Sequence, residues 1–114
     1  MSRKGYQAEY ECKKKLIEEF GFLNVFKNAI SNQGADYLVV MEGRLVKCVE
    51  VKECHGKKYY PLPDEKEQLK RILTFCEEHK IIGEVWIKYP NRGWEIKNIK
   101  DYLKTFIDNK NENK

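Results

Sequence analysis

This chain lacks the features that would give an easy reading. No apolar run approaches the roughly 20 residues a membrane-spanning helix needs, so no membrane partner is expected. There are two histidines and no C-x-x-C pair, so the usual zinc-ligand spacings are missing. Cys54, His55 and His79 are the scattered exceptions. The four cysteines follow no disulfide framework and no signal peptide precedes them, so a cytoplasmic protein with reduced thiols is expected. An excess of one charge is lacking too. Lys and Arg number 22 against 18 Asp and Glu, and the net charge of +4 is weak evidence for a polyanionic partner. Only the last residues, 108–114, are without apolar side chains, and they are expected as a disordered polar tail.

What is present fits one domain, residues 1–107, with 41% hydrophobic residues to build a modest core. Residues 4–20 predict a helix, with Cys12, Leu16 and Phe20 on one stripe and Gly21 as its stop. A short strand is expected at Asn24–Lys27, then a loop from Asn28 to Gly34. Strands follow at Ala35–Met41 and Arg44–Lys52, joined by a hairpin turn at Glu42-Gly43. His55 to Pro63 is a basic, aromatic connection with room for a short strand at Lys58–Leu62. Asp64 with Glu67 reads as a capping box for a helix running to about His79. Leu69, Ile72, Leu73 and Cys76 form its apolar stripe. Strands at Glu84–Tyr89 and Trp94–Lys97 flank a turn at Pro90–Gly93. Asn98 and Asp101 cap a last helix with Ile99, Tyr102, Leu103 and Phe106 on its apolar side.

Three carboxylates stand where this pattern asks for apolar groups. Strand side chains alternate, so Val46, Cys48, Glu50 and Lys52 share one face, and Leu45, Lys47, Val49 and Val51 the other. Glu50 and Lys52 are thus charged side chains on an inward face. Glu9 lies on the inward stripe of the first helix, and Asp36 on the first hairpin strand. A buried charge costs several kcal/mol without compensation. One compensation is an ion pair between Glu50 and Lys52. The other is a divalent metal with a phosphate. The hairpin decides between them. A two-residue loop pairs Asp36 with Val49 and turns it from Glu50. An odd loop Met41-Glu42-Gly43, or an equivalent bulge near Asp36, puts Asp36 and Glu50 on one face, and that arrangement is expected.

A helix carrying Glu9, a strand carrying Asp36, and Glu50-x-Lys52 on the next strand together resemble the core of the PD-(D/E)xK nuclease superfamily. Within it, the sequence is most similar to the archaeal Holliday junction resolvase family. Arg3-Lys4-Gly5 before Ala8-Glu9, Gly21-Phe22, a loop with Ser31, Val49-Glu50-Val51-Lys52, Leu73, Phe75, Lys88 and Gly93-Trp94 carry the resemblance over about residues 3–96. Two positions depart from the family pattern: Tyr10 stands where a basic residue is usual, and Lys27 where an arginine is frequent.

The resemblance implies an α/β fold of restriction-endonuclease type. A mixed central β-sheet is flanked by helices, in the order α-β-β-β-α-β-β-α. It implies a Mg²⁺-dependent endodeoxyribonuclease, with Mn²⁺ as substitute, that nicks four-way or other branched DNA as a homodimer. The chemistry of the residues agrees. Glu9, Asp36 and Glu50 are oxygen donors suited to a hard cation. Lys52 would orient the attacking water or stabilise the phosphoryl transition state. By resemblance Ser31 reaches the scissile phosphate, and Arg3, Lys4 and Lys27 grip flanking phosphates. Lys57 and Lys58 beside Tyr59 and Tyr60 could add charge and stacking. A restriction-like or repair nuclease, or a non-catalytic nucleic-acid-binding module, would use the same fold.

Overall fold

The computed structural model describes the backbone of residues 3–28 and 34–112, and the side chains of 7–28 and 34–106. Helix α1 (Arg3–Phe20) leads through a single 3-10 turn to β1 (Val25–Lys27). Then come β2 (Tyr37–Met41), β3 (Arg44–Glu53), α2 (Pro63–His79), β4 (Ile82–Tyr89), β5 (Gly93–Asn98) and α3 (Ile99–Glu112). The expected order of helices and strands is the observed one. The five strands form one sheet in sequence order. Only β3 and β4 run parallel, and α2 makes the crossover between them.

The sheet separates two apolar layers. Ala8, Cys12 and Leu16 recur every four residues along α1, so they share one helical face. They pack on Tyr37, Val39, Val49, Val51 and Trp86. The opposite layer joins Leu69, Ile72 and Cys76 of α2 and Ile99, Tyr102 and Leu103 of α3 to Cys48, Val85 and Ile87. Three of the four cysteines are buried free thiols, as their apolar positions required. Among the described residues no helix is long and apolar enough to cross a membrane.

The hairpin reaches the expected arrangement by a bulge rather than by an odd loop. The loop is not odd. Met41 pairs with Arg44, and Glu42 and Gly43 both take positive φ, at 52° and 75°. That is the tight two-residue turn whose twist suits paired strands. The register then slips once: Val40 pairs with Leu45, but Val39 pairs with Lys47. Val46 is the extra residue of a bulge, nearer the turn than Asp36. The cause is the hydrophobic pattern. An unbulged ladder would set Tyr37 opposite Cys48 and mix the two core layers. The bulge sets Tyr37 opposite Val49, and one step further it sets Asp36 opposite Glu50. It also turns Val46 towards the α1 layer, beside Val49 and Val51 rather than with Cys48 and Glu50.

Three smaller expectations are corrected. Residues 58–62 form no strand; the Tyr59 N–H donates to the Tyr89 hydroxyl at 3.0 Å, and Pro61 has no N–H to offer a ladder. Helix α2 starts at Pro63, so Asp64 lies inside the first turn and the Asp64–Glu67 capping box does not form. Proline suits the first helical position, and Glu65 reaches back to accept the Leu62 N–H at 2.9 Å. Helix α3 runs to Glu112, through most of the stretch expected as a disordered tail. That stretch holds no proline or glycine to stop it.

Candidate active site

The site lies where β2, β3 and α2 meet. Glu50 is central on β3 and only 3% exposed. Its neighbour across the hairpin is Asp36, whose Oδ2 accepts the Val51 N–H at 2.7 Å. The two carboxylates therefore lie side by side across the hairpin, close enough to affect each other's titration. Lys52, two residues on, places Nζ 3.2 Å from Glu50 Oε2. From α2, Gln68 Oε1 accepts from the same ammonium at 2.9 Å, and Glu65 Oε2 lies 3.6 Å from it.

The electrostatics of this group are unfavourable for two bare carboxylates. Burial first, and the Asp36 charge second, push the Glu50 carboxyl up to about 8; Lys52 acts in the opposite direction. Burial also raises Asp36, and the Val51 amide is the main influence holding it down. Glu50 Oε1 is buried and has no hydrogen-bond partner. A buried acceptor without a donor is costly, and a cation bound there would satisfy it.

Glu9 stands apart from this centre. It sits on α1, 3.8 Å from Lys27 Nζ, and its side chain is 30% exposed. Burial raises its pKa, and the nearby Asp36 charge adds to the rise, so the two carboxylates share one electrostatic neighbourhood. Its backbone carbonyl accepts the Tyr37 hydroxyl at 3.0 Å, which fixes α1 over β2. Among the described residues no three Asp, Glu, His or Cys side chains come together as a metal cluster. The structure brings Asp36 and Glu50 together, while Glu9 lies to the side with Lys27.

The other expected residues divide. Ser31 lies outside the described residues. Arg3 and Lys4 open α1. Lys57 and Lys58 are exposed on the β3–α2 connection, which Arg92 ties to the β4–β5 turn by donating to the Gly56 carbonyl at 2.7 Å. Lys58 Nζ lies 5.8 Å from the Tyr60 ring centre. His55 pairs with Glu53 at 2.8 Å, and His79 with the Phe75 carbonyl at 2.9 Å.

Sequence reasoning missed three contributors. Glu65 and Gln68 face Lys52 from α2. They are three residues apart beside the Leu69–Ile72 stripe, on a helix flank that sequence alone reads as solvated. Lys13 is the third. It lines a small pocket with Glu9, Tyr10, Lys27 and Tyr37. It lies one turn after Glu9, and so supplies positive charge that Tyr10 does not.

No protein-family model matches this sequence, and no curated protein matches it either. Among solved structures, the chain is similar to the 1.6 Å structure of Archaeoglobus fulgidus Hjc, a Holliday junction resolvase from an archaeal hyperthermophile. The TM-score is 0.65 at 21% identity, covering 85% of this chain and 74% of that one. The two proteins share a fold, which in this chain is a mixed five-stranded sheet between helices.

Proposed function

We propose that this protein is a Mg²⁺-dependent endodeoxyribonuclease that cuts branched DNA, four-way junctions foremost, as a homodimer. The observation that carries the reading is the meeting of Asp36, Glu50 and Lys52 on one face, with a buried Glu50 oxygen left unpaired. The fold shared with a Holliday junction resolvase supports it.

The donor set fits a hard divalent cation. Asp36 and Glu50 offer oxygens only, they repel each other when both are charged, and Oε1 of Glu50 awaits a partner. These two residues would hold the ion, with Glu9 linked to it through water. The ion supplies charge neutralisation at the phosphate and a lowered pKa for water. The chain's own residues do the rest. Lys52 donates to the attacking water or to a phosphate oxygen, where charge grows in the transition state. The Val51 amide holds Asp36 in place. Lys13 and Lys27 flank Glu9 and would grip neighbouring phosphates, and Lys57 and Lys58 would extend that grip. For Arg3, Lys4 and Ser31 only the resemblance suggests phosphate contacts. A dimer brings two such sites to a two-fold junction and doubles the modest +4 charge.

The test is Lys52→Ala. Junction cleavage in Mg²⁺ is expected to fall by about 100-fold or more, as for loss of one transition-state donor, while junction affinity persists. Cleavage by this variant at the wild-type rate removes Lys52 from the chemistry. The exposed Tyr10 favours one variation, a flap or duplex nuclease, because the position lacks a phosphate-binding charge. Equal competition by linear duplex and by junction at matched salt would select it.

A further inference from the structure

We infer that Gln68 is a positioning residue that aims the Lys52 ammonium. The inference rests on the nuclease reading above and concerns a helix that carries none of the expected site residues. A lysine ammonium is a point charge on a flexible four-carbon stem, with three donors and no fixed direction. Something else must direct it. Lys52 Nζ has three acceptors, and they are not equivalent. Glu50 Oε2 at 3.2 Å belongs to the carboxylate pair itself. Glu65 Oε2 at 3.6 Å is beyond good hydrogen-bonding distance, and the other oxygen of Glu65 is engaged with the Leu62 N–H. Gln68 Oε1 at 2.9 Å makes the shortest contact of the three.

Gln68 is also the neutral one. A carboxylate attracts an ammonium from many directions, and a second one beside the site would repel phosphate. An amide oxygen accepts along defined directions and adds no net charge. Its helix is firmly seated: Leu69 and Ile72, next to Gln68 and one turn on, are among the most buried side chains in the molecule. Gln68 therefore fixes one proton of the ammonium from a rigid element. Glu50 takes the second, and the loosely held third faces a phosphate oxygen or the attacking water.

The experiment is single-turnover cleavage of a four-way junction in Mg²⁺, beside junction affinity in Ca²⁺ and a thermal melt. Wild-type protein comes first: no cleavage by it defeats the nuclease reading, whatever Gln68 does. With an active wild type, Gln68→Leu is expected to slow cleavage about 10–100-fold, the scale of a misplaced catalytic group. Affinity should stay within about threefold, and Gln68→Glu, which keeps an acceptor oxygen but adds a charge that repels phosphate, should recover only part of the rate. Full activity in Gln68→Leu overturns the inference. So does a loss that affinity and melting share, because that is a structural role. If Gln68→Leu does not fold, Gln68→Met carries the same test, and the same outcomes decide.

Discussion

The Val51 amide donates to Oδ2 of Asp36 at 2.7 Å, across the hairpin and directly beside Glu50. This bond ties the start of β2 to the C-terminal part of β3. It also presents the Asp36 carboxylate to the same side as Glu50, although Asp36 precedes the first residue of its strand. Two acidic groups fourteen positions apart in the chain are thereby held together by a backbone proton. That backbone proton opposes the rise that burial causes in Asp36. Glu50 has no comparable donor on Oε1. The asymmetry makes Asp36 the more readily ionised of the two.

Asp36→Asn follows from that relationship. The amide oxygen can still accept the Val51 N–H, so the hairpin is kept, while the charge that raises Glu50 is removed. Without divalent metal the variant should be as stable as wild type or slightly more so, by up to about 1 kcal/mol. Stabilisation by added Mn²⁺ should be largely lost, and junction cleavage with it. Paired melting curves with and without Mn²⁺ check both halves. An equal Mn²⁺ shift in wild type and variant would remove Asp36 from the metal site.

Glu50 sets a pH dependence of defined sign. Its folded-state pKa is raised to about 8, so between the ordinary value of 4.5 and 8 the folded chain retains a proton that the unfolded chain gives up. Stability is therefore fully present below 4.5 and declines as pH rises through 8. The slope is at most about 1.4 kcal/mol per pH unit. The upward displacement of Asp36 has the same sign. Denaturant melts of the metal-free protein should show the decline, and Glu50→Gln should flatten it. Stability that climbs across this window, or a slope that Glu50→Gln leaves untouched, contradicts the assignment.

Much of this arrangement was legible because charge and periodicity disagree in the sequence. Glu50 and Lys52 stand out on a strand that is otherwise apolar, and burial of Glu50 to 3% exposure is what that clash required. The helix stripes of Cys12–Leu16 and Leu69–Ile72 were equally plain, since one spacing determines one face. The route to the Asp36–Glu50 pairing was not. Turn length and bulge trade against each other, and both an odd loop and a two-residue turn with Val46 bulged satisfy the same hydrophobic pattern. Only the positive φ at Glu42 separates them, and a glutamate there gives no local signal. Glu65 and Gln68 were hidden for another reason. A polar residue on a helix flank reads as solvated until its partner strand is placed beneath it. Asp64 misled because proline at the first helical position moves the start of α2 ahead of the side chain that looked like its cap.

Deletion of Val46 isolates what the bulge contributes. The two-residue turn sets Met41 opposite Arg44 and Val40 opposite Leu45. Without Val46, Lys47 follows Leu45 directly, and the regular ladder then places Lys47 opposite Val39, Cys48 opposite Leu38 and Val49 opposite Tyr37. Those are the native pairs, so Asp36 still meets Glu50. The cost is the loss of a partly buried valine from the α1 layer, about 1–2 kcal/mol. The shortened chain should therefore fold with a lower melting temperature and cleave junctions within about tenfold of wild type, since the reacting groups keep their geometry. Val46→Gly, which keeps the chain length, controls for the lost side chain. A folded deletion variant that has lost its Mn²⁺ shift, while Val46→Gly keeps it, would mean that the bulge shapes the carboxylate site itself and does more than set the hairpin register.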